Sequence, residues 1–598
     1  MRHVPFSKVK LTDGFWSGKT KLVEDVTNKA VYDWFAKTGR FDALDFNYRG
    51  KGERPHIFWD SDIAKWIESV AYCLHKKRDP GTEEIVDGIV DQIASHQGED
   101  GYYNLHFGSV EPEARLTDRT RHELYCAGHL MEAAVAYCEA TGKDKLLKVM
   151  CKYADFIDET FRVKGTPPFC TPGHEEIELA LVRLYDATGN EKYLHLSKHF
   201  IDKRGKNYEQ RVSGNKFYAQ DHLPVRQQTE PEGHAVRAMY LYASMADIAD
   251  RFDDGELKHA CGMIFDNTVN KKMYITGGLG STHRGEAFTT GYYLPNATAY
   301  AETCAAIAFV QFASRMQKIE MDSKYADACE RAIYNGVMSG ISLDGRKFFY
   351  ENPLEIARDL HTVNTACNDS EHLPIMERIE YFGCSCCPPN LTRFIASIAR
   401  YIYSVEGDTI YVHQYIASEA DDGVIISMKE DYIKSGRVSI ESDARTVACR
   451  IPWFSPAFRC NCAYTEKAGY IYIENTGHIE LEFDVEPKFY EANPLVRDDA
   501  GKVALMKGPI VYCMESKDNP AMLWDIAVDI SATITNGFEQ ELNLPTLHTT
   551  GTVRDFGDGL YRLAGSPKKQ VGLQFVPYFA FANRGKDDMI VWVLGGRS

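Results

Sequence analysis

The feature that most constrains this 598-residue chain is a change of period near Ser404. Up to about residue 403, apolar residues recur at helical spacing in twelve segments: 19–38, 60–77, 82–98, 121–141, 143–162, 174–188, 191–203, 232–251, 255–270, 297–318, 323–339 and 389–403. Many are joined by short polar turns. A weak internal repeat shows how neighbours pair. Glu139-Ala140-Thr141-Gly142-Lys143-Asp144-Lys145-Leu146-Leu147 reads like Asp186-Ala187-Thr188-Gly189-Asn190-Glu191-Lys192-Tyr193-Leu194. In both, Thr-Gly ends one helix with a glycine cap and a charged first turn begins the next. Helical hairpins of this kind stack into toroids or solenoids. Twelve helices in six hairpins predict a closed (α/α)6 barrel.

After Ser404 the spacing becomes strand-like. Asp408–Ile416, Val438–Ser442, Tyr470–Glu474, His478–Val485 and Met589–Leu594 alternate in whole or part between Gly, Asn and Asp turns, as β-sandwich modules do. The length alone exceeds what one hydrophobic core serves. The expected layout is a barrel over 1–403, a β-sandwich domain over 404–494 and a C-terminal β-sandwich domain over 495–598, with the second boundary near Pro494. No low-complexity linker separates them, so close packing is expected.

The formal charge is 68 − 85 = −17, which argues against nucleic acid or an anionic membrane as partner. No apolar run is long enough to cross a membrane, and Met1–Lys8 lacks a signal-like apolar region. The 16 cysteines are scattered through a large chain, unlike a small disulfide framework. A cytoplasmic location with reduced thiols is therefore expected, although a chain whose signal peptide had been removed reads the same way.

Two short segments concentrate metal-binding groups: Glu302-Thr303-Cys304 and Cys384-Ser385-Cys386-Cys387-Pro388-Pro389-Asn390. Glu302, Cys304, Cys386 and Cys387 offer three sulfurs and one oxygen, a donor set suited to tetrahedral zinc. Adjacent cysteines seldom bridge each other, because disulfide geometry strains such a pair. Two buried structural thiols are the plainer alternative, since free Cys is commonly buried. The turn-forming Pro-Pro-Asn beyond the pair tips the reading towards a metal.

Histidines stand near the starts of three helical segments: His122 in Arg121-His122-Glu123, His174 in Gly173-His174-Glu175, and His234 in Gly233-His234-Ala235. The inner helices of a toroid run in one direction, so their N-termini converge and these side chains would line one pocket. Simple capping is the competing reading. His122 and His129 are seven residues apart rather than four, so no zincin motif is present. Gly277-Gly278-Leu279-Gly280 is not a dinucleotide fingerprint, because His283 occupies the third glycine position. That stretch is expected to deliver Thr282, His283, Arg284 and Glu286 to a site. For Glu286 alone, a solvated loop acid is the plainer reading.

Phe382–Asn390, Gly280–Glu286 and Tyr300–Cys304 together resemble glycoside hydrolase family 127, whose best-understood members are retaining β-L-arabinofuranosidases, and the likeness runs along nearly the whole chain. The resemblance implies an (α/α)6 barrel followed by β-sandwich domains. It implies one Zn2+ held by Glu302, Cys304, Cys386 and Cys387, with Cys386 as nucleophile and Glu286 as general acid/base. His122, His174, His234 and Tyr350 are similar to positions that hold sugar hydroxyls or tune the site, and Cys384 would stand outside the metal's ligands. No departure is seen at the metal or acid positions.

Retaining glycosidases usually pair an acid/base carboxylate with a nucleophilic one. Here a thiolate replaces the second. A free thiol, with a pKa of roughly 8.5, is mostly protonated at neutral pH, and zinc would hold it ionised. The expected activity is release of terminal L-arabinose from β-L-arabinofuranosides. Alternatives are a related enzyme for another furanoside of pectin, such as a branched acidic sugar, and a non-catalytic carbohydrate-binding protein with structural zinc. An epimerase or lyase on the same barrel has no need of a thiolate-rich site. The expected partner is a small oligosaccharide or glycoside, with a homodimer as an option.

Overall fold

The computed structural model describes residues 1–47, 54–206, 215–362, 372–474, 477–520, 522–555 and 559–596. Among them, six inner helices form a ring: Trp59–Lys76, Glu123–Thr141, Ile177–Thr188, Ala235–Arg251, Thr303–Ile319 and Cys387–Ala396. Each packs on the next, and Cys387–Ala396 closes the circle against both Thr303–Ile319 and Trp59–Lys76. The outer layer comprises Gly14–Lys37 (with a central π-turn), Pro80–His96, Lys145–Ile157, Glu191–Lys203, Gly255–Asn267 and Ser323–Arg331. Inner helices are buried nearly all round. In Thr303–Ile319 the small residues Ala305, Ala306, Ala308 and Ala313 let neighbouring backbones approach. Outer helices bury one stripe, as in Leu146, Val149, Met150, Tyr153, Ala154 and Ile157.

The repeated Thr-Gly caps form as expected. Gly142 and Gly189 adopt left-handed φ values of 75° and 69°, and their N–H groups donate to Cys138 and Tyr185 carbonyls. Each sends the chain from an inner helix to its outer partner. The sequence signal and the hairpin direction thus have one cause.

Two six-stranded sheets follow the barrel. One orders Arg2–His3, Tyr403–Glu406, Thr409–Val412, Thr446–Arg450, Tyr470–Glu474 and Thr465–Lys467. The other orders Phe458–Cys460, His478–Phe483, Arg437–Ser442, Ile425–Asp431, Ser418–Asp421 and Val9–Leu11. The chain's first strands therefore belong to this β domain, not to the barrel assigned to 1–403. Arg2 pairs with Val405 and Val9 with Ala420. The boundary drawn near Pro494 also falls late, because Pro487–Glu491 pairs with Lys502–Lys507 of the last domain. Among the described residues ten strands form that domain's sheet. One of them, Glu355–Ile356, comes from the loop leading to the cysteine cluster. No helix among the described residues is long and apolar enough to cross a membrane.

Candidate active site

Inner helices begin at one end of the barrel, and the residue just before the start faces a common cavity in five of the six described. Phe58, His122, His234, Glu302 and Cys386 immediately precede the first helical residue of five of them. His174 enters from the turn ahead of Ile177. All six line a cavity of about 200 Å³. Parallel inner helices thus do what the sequence argument required of them.

The three histidines form a chain of rings. Centroids are 5.7 Å apart from His122 to His174 and 5.6 Å from His174 to His234. Burial, reinforced by the Arg237 charge, lowers His122 to about 3 and His174 well below the usual imidazole range. His122 and His174 stand ready as neutral donors and acceptors, suited to hydroxyl groups rather than to anions.

Glu286 arrives from the loop between Thr268–Lys272 and Thr303. Gly280 and Gly285 have φ values of 93° and 72°, and Glu286 itself is left-handed at 53°. A non-glycine residue held there is strained, as functional loops often are. Ala235 N–H donates to the Glu286 carbonyl at 2.8 Å, tying the loop to a helix start. The Glu286 carboxylate lies 2.7 Å from His234 Nε2. Burial raises its pKa, but attraction and hydrogen bonding from His234, with Arg237 nearby, outweigh this and hold it below the usual range. His283 instead stacks on His372 at 4.6 Å, and Arg284 is exposed. Thr282, His283 and Arg284 do not line the pocket; the turn presents Glu286 and aims the rest outward.

Beside this carboxylate the four expected metal ligands converge, their ligand atoms all within 4.8 Å of one another. Sulfur–sulfur distances are 3.1 Å for Cys304–Cys387 and 3.8 Å for Cys386–Cys387. Glu302 Oε1 is 3.6 Å from Cys387 Sγ and 4.0 Å from Cys386 Sγ. The Cys386 thiol also donates to the Tyr350 hydroxyl at 3.2 Å, so Tyr350 meets the sulfur directly. Cys384 is exposed at the cavity mouth.

The profile described as "Beta-L-arabinofuranosidase, GH127 catalytic domain" matches residues 8–400, and that of the glycoside hydrolase family 127 C-terminal domain matches 487–594. The chain belongs to glycoside hydrolase family 127. This family 127 protein is 36% identical to the non-reducing end β-L-arabinofuranosidase of Bifidobacterium longum subsp. longum, over 90% of this chain and 89% of that one. A GH127 β-L-arabinofuranosidase structure from Geobacillus stearothermophilus T6 superposes with a TM-score of 0.92 at 39% identity, covering 98% of this chain and all of that one. A second GH127 β-arabinofuranosidase structure gives 0.89 at 33%, covering 99% and 98%. The chain is a glycoside hydrolase.

The donor set of this family 127 enzyme fits zinc. Tetrahedral zinc about 2.3 Å from sulfur separates ligand sulfurs by about 3.8 Å. The Cys386–Cys387 distance meets that value; the Cys304–Cys387 pair is tighter. Glu302 Oε2 is sealed from solvent with no hydrogen-bond partner among the described residues. Burial, then the adjoining Cys386 and Glu286, push its acid well above the carboxylate range. The Glu302 carboxyl and the thiols of Cys304 and Cys387 are buried, with half-buried Cys386 beside them. Once ionised, such a set needs a counter-charge, which a divalent ion would supply.

Among the pocket residues that escaped sequence reasoning are Tyr125, Arg237 and Tyr218. Tyr125 and Arg237 lie one helical turn beyond His122 and His234, so helix periodicity would have flagged them. Tyr218 comes from an irregular segment with no local signal, and the Arg237 guanidinium sits 4.6 Å from its ring centroid.

Proposed function

We propose that this enzyme is a retaining exo-β-L-arabinofuranosidase in which Cys386 is the nucleophile and Glu286 the acid/base. The observation that carries the reading is that Glu302 lies within ligand distance of both Cys386 and the His234–Glu286 pair, bringing thiol and acid to one small cavity. About 200 Å³ admits a single sugar ring rather than a glycan chain, which favours terminal release. The names of the relatives support β-linked L-arabinofuranose as that ring.

Glu302, Cys304, Cys386 and Cys387 would hold zinc, which when bound keeps the buried sulfurs as thiolates. His122, His174 and His234 would orient the sugar hydroxyls. Cys386 Sγ attacks the anomeric carbon while Glu286 gives a proton to the departing oxygen. Substrate strips the remaining water from Glu286, strengthening the desolvation that favours its protonated form. Glu286, now ionised, next takes a proton from water, which displaces sulfur and restores the sugar with its original anomeric configuration. Tyr350, touching Cys386, fixes the direction of the sulfur.

A panel of nitrophenyl pentofuranosides, both anomers and both enantiomeric series, tests this with the anomer of the first product read by NMR. Hydrolysis of the β-L-arabinofuranoside with retention is expected. Inversion, or preference for another pentofuranoside, would sink the reading.

A further inference from the structure

A second cavity, of about 270 Å³, lies where the barrel meets both β domains. Arg331, the last residue of helix Ser323–Arg331, forms part of its wall, with Trp453 from the first β domain and Tyr490 and Trp592 from the last. The Trp453 and Tyr490 rings meet at 5.3 Å, inclined by 58°. Arg331 holds its guanidinium 4.5 Å from the Trp453 ring centroid. The nearby carboxylates Asp327 and Glu330 are engaged by Arg450 instead, at 2.5 and 2.7 Å. Asp499, also in the wall, accepts from Asn296 at 2.7 Å. Arg331 Nε and Trp453 Nε1 are both sealed from solvent without hydrogen-bond partners among the described residues.

A half-buried guanidinium with no carboxylate in contact is costly, and one aromatic face compensates it only in part. Burial accordingly lowers the Arg331 pKa. The wall therefore combines a cation lacking its counter-charge with inclined aromatic surfaces. Flat aromatic faces pack against the C–H face of a sugar ring, and a guanidinium pairs with a carboxylate through two parallel hydrogen bonds. At the rim the exposed Lys271 and Glu491 carry opposite charges, so the selectivity for an acidic group rests on Arg331.

We propose that this cavity is a non-catalytic carbohydrate subsite for a sugar unit bearing a carboxylate, that is, a uronic acid. Arg331 takes the carboxylate, and Trp453 and Tyr490 take the ring. The site stands apart from the catalytic pocket and shares no lining residue with it.

Calorimetric titration of the full-length enzyme with trigalacturonate, galactotriose and acetate tests the proposal. Trigalacturonate should bind at one site, at least tenfold more tightly than the neutral trisaccharide or acetate. Arg331→Gln and Trp453→Ala should each weaken it tenfold or more while leaving kcat/KM on a nitrophenyl β-L-arabinofuranoside unchanged. Arg331→Lys, keeping the charge but not the fork, should fall between. Because Arg331→Gln removes a cation without a partner, its Tm should hold or rise; a fall would make Arg331 a structural group and overturn the reading. Equal binding of the neutral sugar, full competition by acetate, or competitive inhibition of hydrolysis by trigalacturonate would each overturn it too.

Discussion

The two ends of the barrel differ in what their polar groups are doing. At the C-terminal end of the inner helices lies a cavity of about 460 Å³, more than twice the volume of the one at the N-terminal end. It is lined with charge, but the charges meet one another. Arg183 reaches Glu68 at 2.6 Å, Arg393 reaches Glu68 and Glu132 at 2.7 and 2.5 Å, and Arg315 reaches Asp247 at 2.5 Å. The N-terminal segment from His3 to Ser7 forms part of its wall. At the other end, Glu302 Oε2, His122 Nδ1 and His234 Nδ1 are buried without partners among the described residues. Volume does not mark the site, and single unpartnered atoms occur at both ends, His3 Nδ1 and Gln311 Oε1 among them at the larger cavity. What differs is that the carboxylates there are paired with cations, whereas among the described residues Glu302 has none. A buried charge left unpaired, its bonding capacity unspent, marks a place where something else is to meet it.

The largest effect tests the unspent end. Cys386→Ser should lower kcat by about 10⁴-fold or more, since a serine hydroxyl is neither ionised at neutral pH nor a comparable ligand. Cys387→Ser should fall as far, with zinc lost, so kinetics alone cannot separate the pair. An arabinofuranose-configured epoxide or haloacetamide followed by peptide mass spectrometry does, and the label belongs on Cys386. Label on Glu302 would make a carboxylate the nucleophile and the metal structural. Elemental analysis should find about one zinc per chain, and a chelator that removes it should remove activity.

Glu286→Gln comes next. Turnover of glycosides with poor leaving groups should fall about 10³-fold with zinc retained, while an activated aryl glycoside suffers less at its first step. Small and equal losses on both substrates would remove Glu286 from the acid/base role.

At the satisfied end the same logic predicts stability without chemistry. Arg315→Met leaves Asp247, which is buried, with only Lys318 at 4.0 Å. Unfolding should become easier by about 2–3 kcal/mol, with kcat at low temperature changed less than threefold. Denaturant midpoints beside kcat measure both. A large kcat loss with unchanged stability would mean that this end, too, is functional.

The barrel was legible in sequence because its helices carry clear helical periodicity and two of the inner–outer turns repeat one local device, a glycine cap at Gly142 and at Gly189. The site was legible because its residues sit at helix starts, where position along the chain predicts position in space. What failed was non-local. Arg2–His3 and Val9–Leu11 are too short to show alternation, and they become strands only by meeting Tyr403–Glu406 and Ser418–Asp421 some four hundred residues later. The direction of Thr282, His283 and Arg284 depended on a left-handed turn that composition does not specify. The Arg331 cavity was invisible for the same reason, since its walls come from three separate parts of the fold.

The smallest predicted effect concerns how the unspent end sets its own proton. In the free enzyme, burial raises the Glu286 pKa, and the charge and hydrogen bond of His234 with the charge of Arg237 pull it below the usual range. His234→Ala removes the larger of the lowering influences and leaves the burial. The Glu286 pKa should therefore rise. A general acid works only while protonated, so the alkaline limb of kcat/KM, where that proton is lost, should move to higher pH. Loss of a sugar-facing imidazole should also cost about tenfold in kcat/KM at the optimum, with zinc still bound. A His234→Gln variant keeps a donor near the carboxylate and should shift the limb less. If the alkaline limb stays put or moves to lower pH in His234→Ala, the group titrating there is not Glu286, and the pairing seen at 2.7 Å serves to position the loop rather than to tune its acid.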